Sequence, residues 1–429
     1  MRRLIVATAA TALVVAAFAG NTAAQENLRV LVHQNPPFVE FMEDFNAQFE
    51  ADNPDIKVDM AIVNANDLST SQQTRLIAND VDVIDIFAFH NATQPYMEDT
   101  DPPSWQSYID AGLLMDITDQ PFVANYDPVS IADAGTYNDR VYQINLGRVG
   151  FSGIYYNKDL FAENGIEVPT TWSELVSACE TLTAAGTPCM TAGGSDGWPI
   201  FVGAYGLLGS AFPDAGALVE GLWTGEIEYT DPEWVDLLSK YQVYNRDMME
   251  PGASALPGDG APGRFASGAV AMFPGGTWYG PAIEANEPDF DWGYMPFPGS
   301  DDPEMNKSMF GKYDQGWAIA ENSSKKDQAL KYLAAFSEPD TYQAFVDMVG
   351  PIPTQPTATL NTKIGQELAP YLESFQLGHE TVWIAPRGSG QWAYPPGVNM
   401  FQPFGTFDDP QAAADQAQSD LDSGLDALH

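Results

Sequence analysis

The sequence predicts an α/β fold, a mostly parallel sheet covered by helices, and three observations carry that prediction. Near the N-terminal end, short apolar stretches of strand character alternate with stretches whose apolar residues recur at helical spacing, in the order β-α-β-α-β. The chain has 429 residues, 45% of them apolar and 12% aromatic, which rules out a disordered or collagen-like polymer. At roughly 150 residues per domain, this length corresponds to two or three domains, each able to bury a core.

The elements follow in order. Leu28 to Val32 reads as a strand, and His33-Gln34-Asn35-Pro36-Pro37 as the turn that ends it. Phe38, Phe41, Met42, Phe45 and Phe49 then recur on one helical face, and Asp52-Asn53-Pro54 stops the helix. Ile56 to Val63 is a second strand, a helix covers about Ser69 to Ala78, and Asp82 to Phe89 is a third strand ending at His90-Asn91. In such sheets ligands sit beyond the carboxyl ends of the strands, where the turns at Gln34-Asn35 and His90-Asn91 would lie. Tyr142 to Tyr156 is extended but interrupted by Gly147, Gly150 and Gly153, a pattern that marks a bend or a crossing between domains. Thr170 or Thr171 caps a helix with Trp172, Leu175, Val176, Cys179 and Leu182 on its apolar face. Phe265 to Met272 passes from a helix end into a strand, followed by Pro274-Gly275-Gly276-Thr277-Trp278. Tyr313 to Ile319 is another crossing strand, Lys325 to Phe336 a helix, and Pro410 to Leu425 a closing helix.

Charge narrows the partners. The 59 acidic residues outnumber 18 basic ones for a formal charge of −41, so nucleic-acid phosphates and anionic membranes should repel the chain. Acidity of this kind, from scarce Lys and Arg, fits either solubility in a saline habitat or the steering of a cationic ligand. Residues 1–24 have the form of a cleaved secretory signal: Arg2 and Arg3, an apolar stretch from Leu4 to Ala19, then small residues. That stretch is shorter than the ~20 residues a membrane helix needs, so a soluble, exported protein without stable membrane insertion is expected. Export implies an oxidising compartment, in which Cys179 and Cys189 would form a disulfide; the alternative is two small buried thiols.

Catalytic signatures are absent. The histidines, His33, His90, His379 and His429, stand in no zinc pattern, and neither a phosphate loop nor a Gly-x-Ser-x-Gly elbow occurs. No cofactor and no metal are implied. What remains is a set of glycine-punctuated loops rich in aromatic and uncharged polar residues. Sugars suit such loops: their C–H faces stack on flat rings and their hydroxyls bond paired polar groups. Of the ten tryptophans, Trp172, Trp234 and Trp317 fall in helix or strand interiors, whereas Trp198, Trp278 and Trp392 sit beside Gly or Pro in loops and face either a ligand or the core.

Several segments together are similar to the extracellular solute-binding proteins of ABC importers, in the sugar-binding, maltose-type group. They are Gly153 to Phe161, Pro169-Thr170-Thr171-Trp172-Ser173-Glu174-Leu175, Gly193 to Pro199, Phe265 to Gly268 with Ala271-Met272 and Gly276-Thr277-Trp278, and Gly350 to Thr354. The resemblance spans nearly the whole chain beyond residue 24. It implies a two-lobed, type II binding-protein fold, with lobe one at 25–148 and 313–340, lobe two at 149–312 and 341–429, and a hinge near Leu146 to Phe151 and Lys312 to Gln315. It also implies a monomer without catalytic activity that traps a sugar and delivers it to membrane permease subunits, in the periplasm because no lipid-attachment Cys follows the signal.

Carried over residue by residue, Trp278 after Gly275-Gly276 matches the sugar-stacking tryptophan, and Asn35, His90 and Asn91 match polar contacts after the first and third strands. Tyr313-Asp314 replaces the glycines common at the second crossing, so Asp314 is either a pocket carboxylate or the start of a strand. Arg148 either bonds the ligand or bridges to an acidic neighbour, and Arg387 and Trp392 lie in the late loop that reaches back to the sugar. Two other readings remain at this stage: the same fold holding a polyol, a compatible solute or an acidic sugar on Arg148 and Arg387, and a secreted glycan-active enzyme.

Overall fold

A computed structural model describes residues 26–394 and 397–428; the expected signal at 1–24 lies outside the described residues. The first lobe is built on a five-stranded sheet in the order Ile56–Val63, Glu26–His33, Val83–Phe87, Gln315–Ile319, Ile144–Asn145. The first three strands are parallel, with Glu26 opposite Ile56 and Val30 opposite Val83. Gln315–Ile319 then enters antiparallel, Trp317 opposite Asp85, so a strand from much later in the chain completes the sheet.

Helix Pro36–Asp52 starts two residues before the sequence reading, which left Pro36 and Pro37 in the turn. Pro36 occupies the first turn, where its missing N–H costs nothing, and the Phe38 N–H donates to Asn35 Oδ1 (3.4 Å). Its buried stripe of Phe38, Phe41, Met42, Phe45 and Phe49 packs on helices Lys326–Phe336 and Pro339–Val349; Phe45 stands edge-on to Tyr332 and Phe41 to Phe345. The second of these helices straddles residue 340, where the sequence reading ended lobe one. It packs with the first sheet because Tyr342, Phe345 and Val346 complete the same aromatic layer.

The second lobe carries an antiparallel sheet, Trp292–Pro296, Gly153–Asn157, Met272–Pro274, within a thick helical shell. Helix Trp172–Ala184 begins with a capping box: Thr171 Oγ1 accepts from the Glu174 N–H (3.2 Å) while the Glu174 carboxylate accepts from the Thr171 N–H (3.1 Å). Thr171→Ala should therefore destabilise the protein by about 1 kcal/mol, read as a lower midpoint of urea unfolding; an unchanged midpoint would show that the cap contributes nothing. The same helix carries Cys179, which forms a disulfide with Cys189.

Strand Arg148–Gly150 pairs antiparallel with Met309–Tyr313, which pairs parallel with Phe375–Leu377. Around them the Asp314 N–H donates to Gly147 O and the Leu146 N–H to Gln315 O, both at 2.9 Å. A third passage joins at Ile352, whose N–H and C=O both pair with Arg148. Gly147 has to be glycine here, because a Cβ would lie 2.5 Å from Cβ of Pro351. The lobes also meet outside these passages. The segment after the third strand crosses onto lobe two, where the Asn91 N–H donates to Thr381 O (2.8 Å) and Met97 is buried in the second lobe's core.

Candidate ligand-binding cleft

A cavity of about 500 Å³ opens between the lobes. From lobe one it takes the carboxyl ends of the parallel strands and the turns after them: His33, Gln34, Asn35, Asn66 and Phe87. Lobe two contributes rings, among them Phe151, Trp198, Tyr205, Trp278 and Tyr394. The floor, at the crossing strands, is charged: Lys312, Asp314 and Glu380.

The aromatic wall is held from behind. Trp278 stands edge-on to Phe151 (centroids 5.3 Å apart) and 6.1 Å from Trp198. Its loop is pinned to the crossing strand, because the Gly150 N–H donates to Thr277 Oγ1 (3.1 Å) and the Thr277 N–H to Gly150 O (3.0 Å). The Tyr155 hydroxyl donates to Gly276 O (2.9 Å). Gly276 lies directly beneath the indole, where a Cβ would come within 1.9 Å of the Trp278 ring. The glycine thus lets the tryptophan fold back over its own loop and turn towards the cleft.

The floor is an ion cluster. Lys312 Nζ lies 3.0 Å from Glu380 Oε1 and 3.7 Å from Asp314 Oδ1, over the rings of Phe87 and Phe151. The Tyr205 hydroxyl donates to Glu380 Oε2 (2.9 Å) and lies 3.1 Å from the Tyr394 hydroxyl. Burial works against the charge on Glu380, yet the Lys312 ammonium outweighs it and holds the carboxyl below its usual range. Burial would likewise lower Lys312, but Glu380 and Asp314 raise it. For Asp314 burial wins, and its carboxyl is raised despite Lys312 and His33. His33 binds Asp85 Oδ2 through Nδ1 (2.5 Å); burial opposes its charge, and Asp85 then raises it.

Of the residues singled out in the sequence, Asn35, Trp198, Trp278 and Asp314 line the cavity, and Gly276 supports it. The others stand elsewhere. His90 sits behind the floor, pushed down to about 4 by burial and then by Lys312, while Asn91 turns away with a left-handed backbone to bond Thr381. Tyr313 is buried against Ala88 and Ala134, on the opposite side of its strand from Lys312 and Asp314. Arg148 stacks over the Phe375 ring, 5.1 Å from its centroid. Arg387 pairs with Asp99 (3.3 Å) and Asp101 (2.6 Å), and Trp392 packs edge-on to Phe407. Sequence reading missed Phe151, Tyr205, Lys312, Glu380 and Tyr394. Lys312 stood at the expected hinge, and Tyr394 is two residues past Trp392, but nothing local marks Glu380.

Residues 35–343 match the model of the bacterial extracellular solute-binding protein family. The chain belongs to this family. The solute-binding protein is 27% identical over 316 residues to the multiple sugar-binding protein of Streptococcus mutans, a match covering 70% of this chain and 69% of the relative. Its fold is similar to that of the solute-binding protein RafE in complex with raffinose (TM-score 0.76, 20% identity, 92% of this chain and 98% of that one). It is also similar to a chitin oligosaccharide binding protein (TM-score 0.75, 18% identity, 93% and 99%). These likenesses establish the two-lobed α/β architecture of the solute-binding protein. Among its described residues, no helix is long and apolar enough to cross a membrane.

Proposed function

We propose that this solute-binding protein captures a sugar or oligosaccharide between its lobes and releases it chemically intact to the permease of an ABC importer. The observation that carries the reading is the cleft itself, with flat rings of lobe two facing the polar turns of lobe one. Rings suit the C–H faces of a pyranose, and Asn35, Asn66 and Gln34 suit its hydroxyls. The sugar-binding relative and the raffinose-bound neighbour support the same solute class. Closure is a population shift driven by ligands that bind the closed form better, with the three crossing passages as the hinge. The protein works as a monomer in the periplasm, exported by its N-terminal signal.

A thermal-shift screen over neutral mono- to tetrasaccharides, polyols and betaines tests the reading, because ligand raises the melting point by mass action. At least one neutral saccharide should raise it, and chromatography should recover that saccharide uncleaved. Stabilisation by polyols or betaines alone, or recovery of a cleaved product, would overturn the reading. The alternative in which two arginines hold an acidic sugar has less support, since Arg148 and Arg387 are not among the described residues that line the cavity. Arg387→Ala is accordingly expected to leave saccharide affinity within about twofold, because exposed ion pairs contribute little; a tenfold loss by titration calorimetry would place Arg387 in the site.

A further inference from the structure

We propose that the cleft ranks saccharides by charge, favouring an amino group over a hydroxyl and excluding a carboxylate, with Asp314 as the specificity-determining group. The inference rests on the sugar reading above and goes beyond it by naming the charge class. Among the described residues, three carboxylates line the cavity, Asp259, Asp314 and Glu380, against one lysine, Lys312. That lysine is already engaged, with Glu380 at 3.0 Å and two aromatic rings around its ammonium. Glu380 has both oxygens occupied, one by Lys312 and the other by the Tyr205 hydroxyl. His33 is matched by Asp85.

Asp314 differs from Lys312, Glu380 and His33, and also from Asp259, which is exposed to solvent where Asp314 is mostly buried. Its ion-pair partner Lys312 stays 3.7 Å away, longer than a hydrogen bond, so its oxygens keep acceptor capacity towards the cavity. The Asp314 side chain is 23% exposed and so mostly withdrawn from water, and a ligand donor meets less competition from solvent there than on the surface. Sugar hydroxyls can donate to it. A ligand ammonium would form a charge-assisted bond of roughly twice the strength. A ligand carboxylate would meet a like charge with no unengaged cation among the described lining residues. The net charge of −41 adds a long-range field of the same sign.

Titration calorimetry on the full-length protein tests the ranking. The probes are maltotriose, xylotriose and raffinose (neutral), chitosan trisaccharide (cationic) and trigalacturonate (anionic). The cationic probe should bind about tenfold tighter than the best neutral one, and trigalacturonate should bind at least about tenfold more weakly than it. Asp314→Asn changes the net charge by one and should collapse the cationic preference to about twofold, whereas about 0.5 M salt should weaken it in the wild type only partly. Equal affinities, or trigalacturonate binding as tightly as the neutral probes, would overturn the proposal while leaving the sugar reading in place; this comparison needs no variant. A wild-type ranking that survives in a folded Asp314→Asn protein, or that vanishes entirely with salt, would remove Asp314 as its cause. If every saccharide is silent, the sugar reading falls and the ranking falls with it.

Discussion

Lys312→Met is expected to destabilise the protein by about 3–5 kcal/mol, the range for removing one partner of a buried ion pair. The methionine replaces the stem of the lysine, so little volume is lost, and the effect isolates the charge. Lys312 is only 13% exposed and lies between Glu380 and Asp314. Without it, Glu380 loses the group that holds its carboxyl low, and two carboxylates share a floor with no ammonium between them. Urea unfolding at neutral pH measures the loss. The double variant Lys312→Met with Glu380→Gln should recover part of it, because the orphaned charge goes too. The stability that Glu380 contributes is present above the usual carboxylate range and is lost as pH falls through its lowered value. Lowering pH should thus shrink the gap between wild type and Lys312→Met. A loss below about 1 kcal/mol would show that the pair is too well solvated to matter.

Trp278→Ala should weaken saccharide binding by about 1–3 kcal/mol, by analogy with the loss of a stacked base. The indole is held in position for a ligand: Gly276 lies beneath it, Phe151 meets it edge-on, and Thr277 ties its loop to the crossing strand. Its removal leaves the pinned loop intact, so melting without ligand should move far less than affinity does. Trp278→Phe should retain most of the binding, since a flat face remains. Calorimetry showing unchanged affinity for the alanine variant would take Trp278 out of the site.

Much of the molecule was readable from local pattern. The phenylalanine stripe of helix Pro36–Asp52 and the Thr171 capping box arise from interactions within a few residues of one another, and the three parallel strands from short apolar stretches, although their pairing joins remote residues such as Val30 and Val83. Trp278 was legible because its glycines free a loop to bend. Arg148, Arg387 and Trp392 do not line the described cavity, and the sequence could not show this, because a charge or a ring in a loop has the same signature whether it meets a ligand, an aspartate or a neighbouring ring.

The sequence by itself determined the α/β class, the start and face of its main helices, and the aromatic, sugar-like character of its loops, because periodicity, caps and turn residues act over short distances. Only the tertiary structure decided which side chains share the cleft. Glu380, Lys312 and Tyr205 come from distant parts of the chain and meet where three passages cross, and helix Pro339–Val349 joins lobe one through an aromatic layer assembled from remote segments. Such pairings depend on packing between surfaces, and no single stretch of residues carries that information.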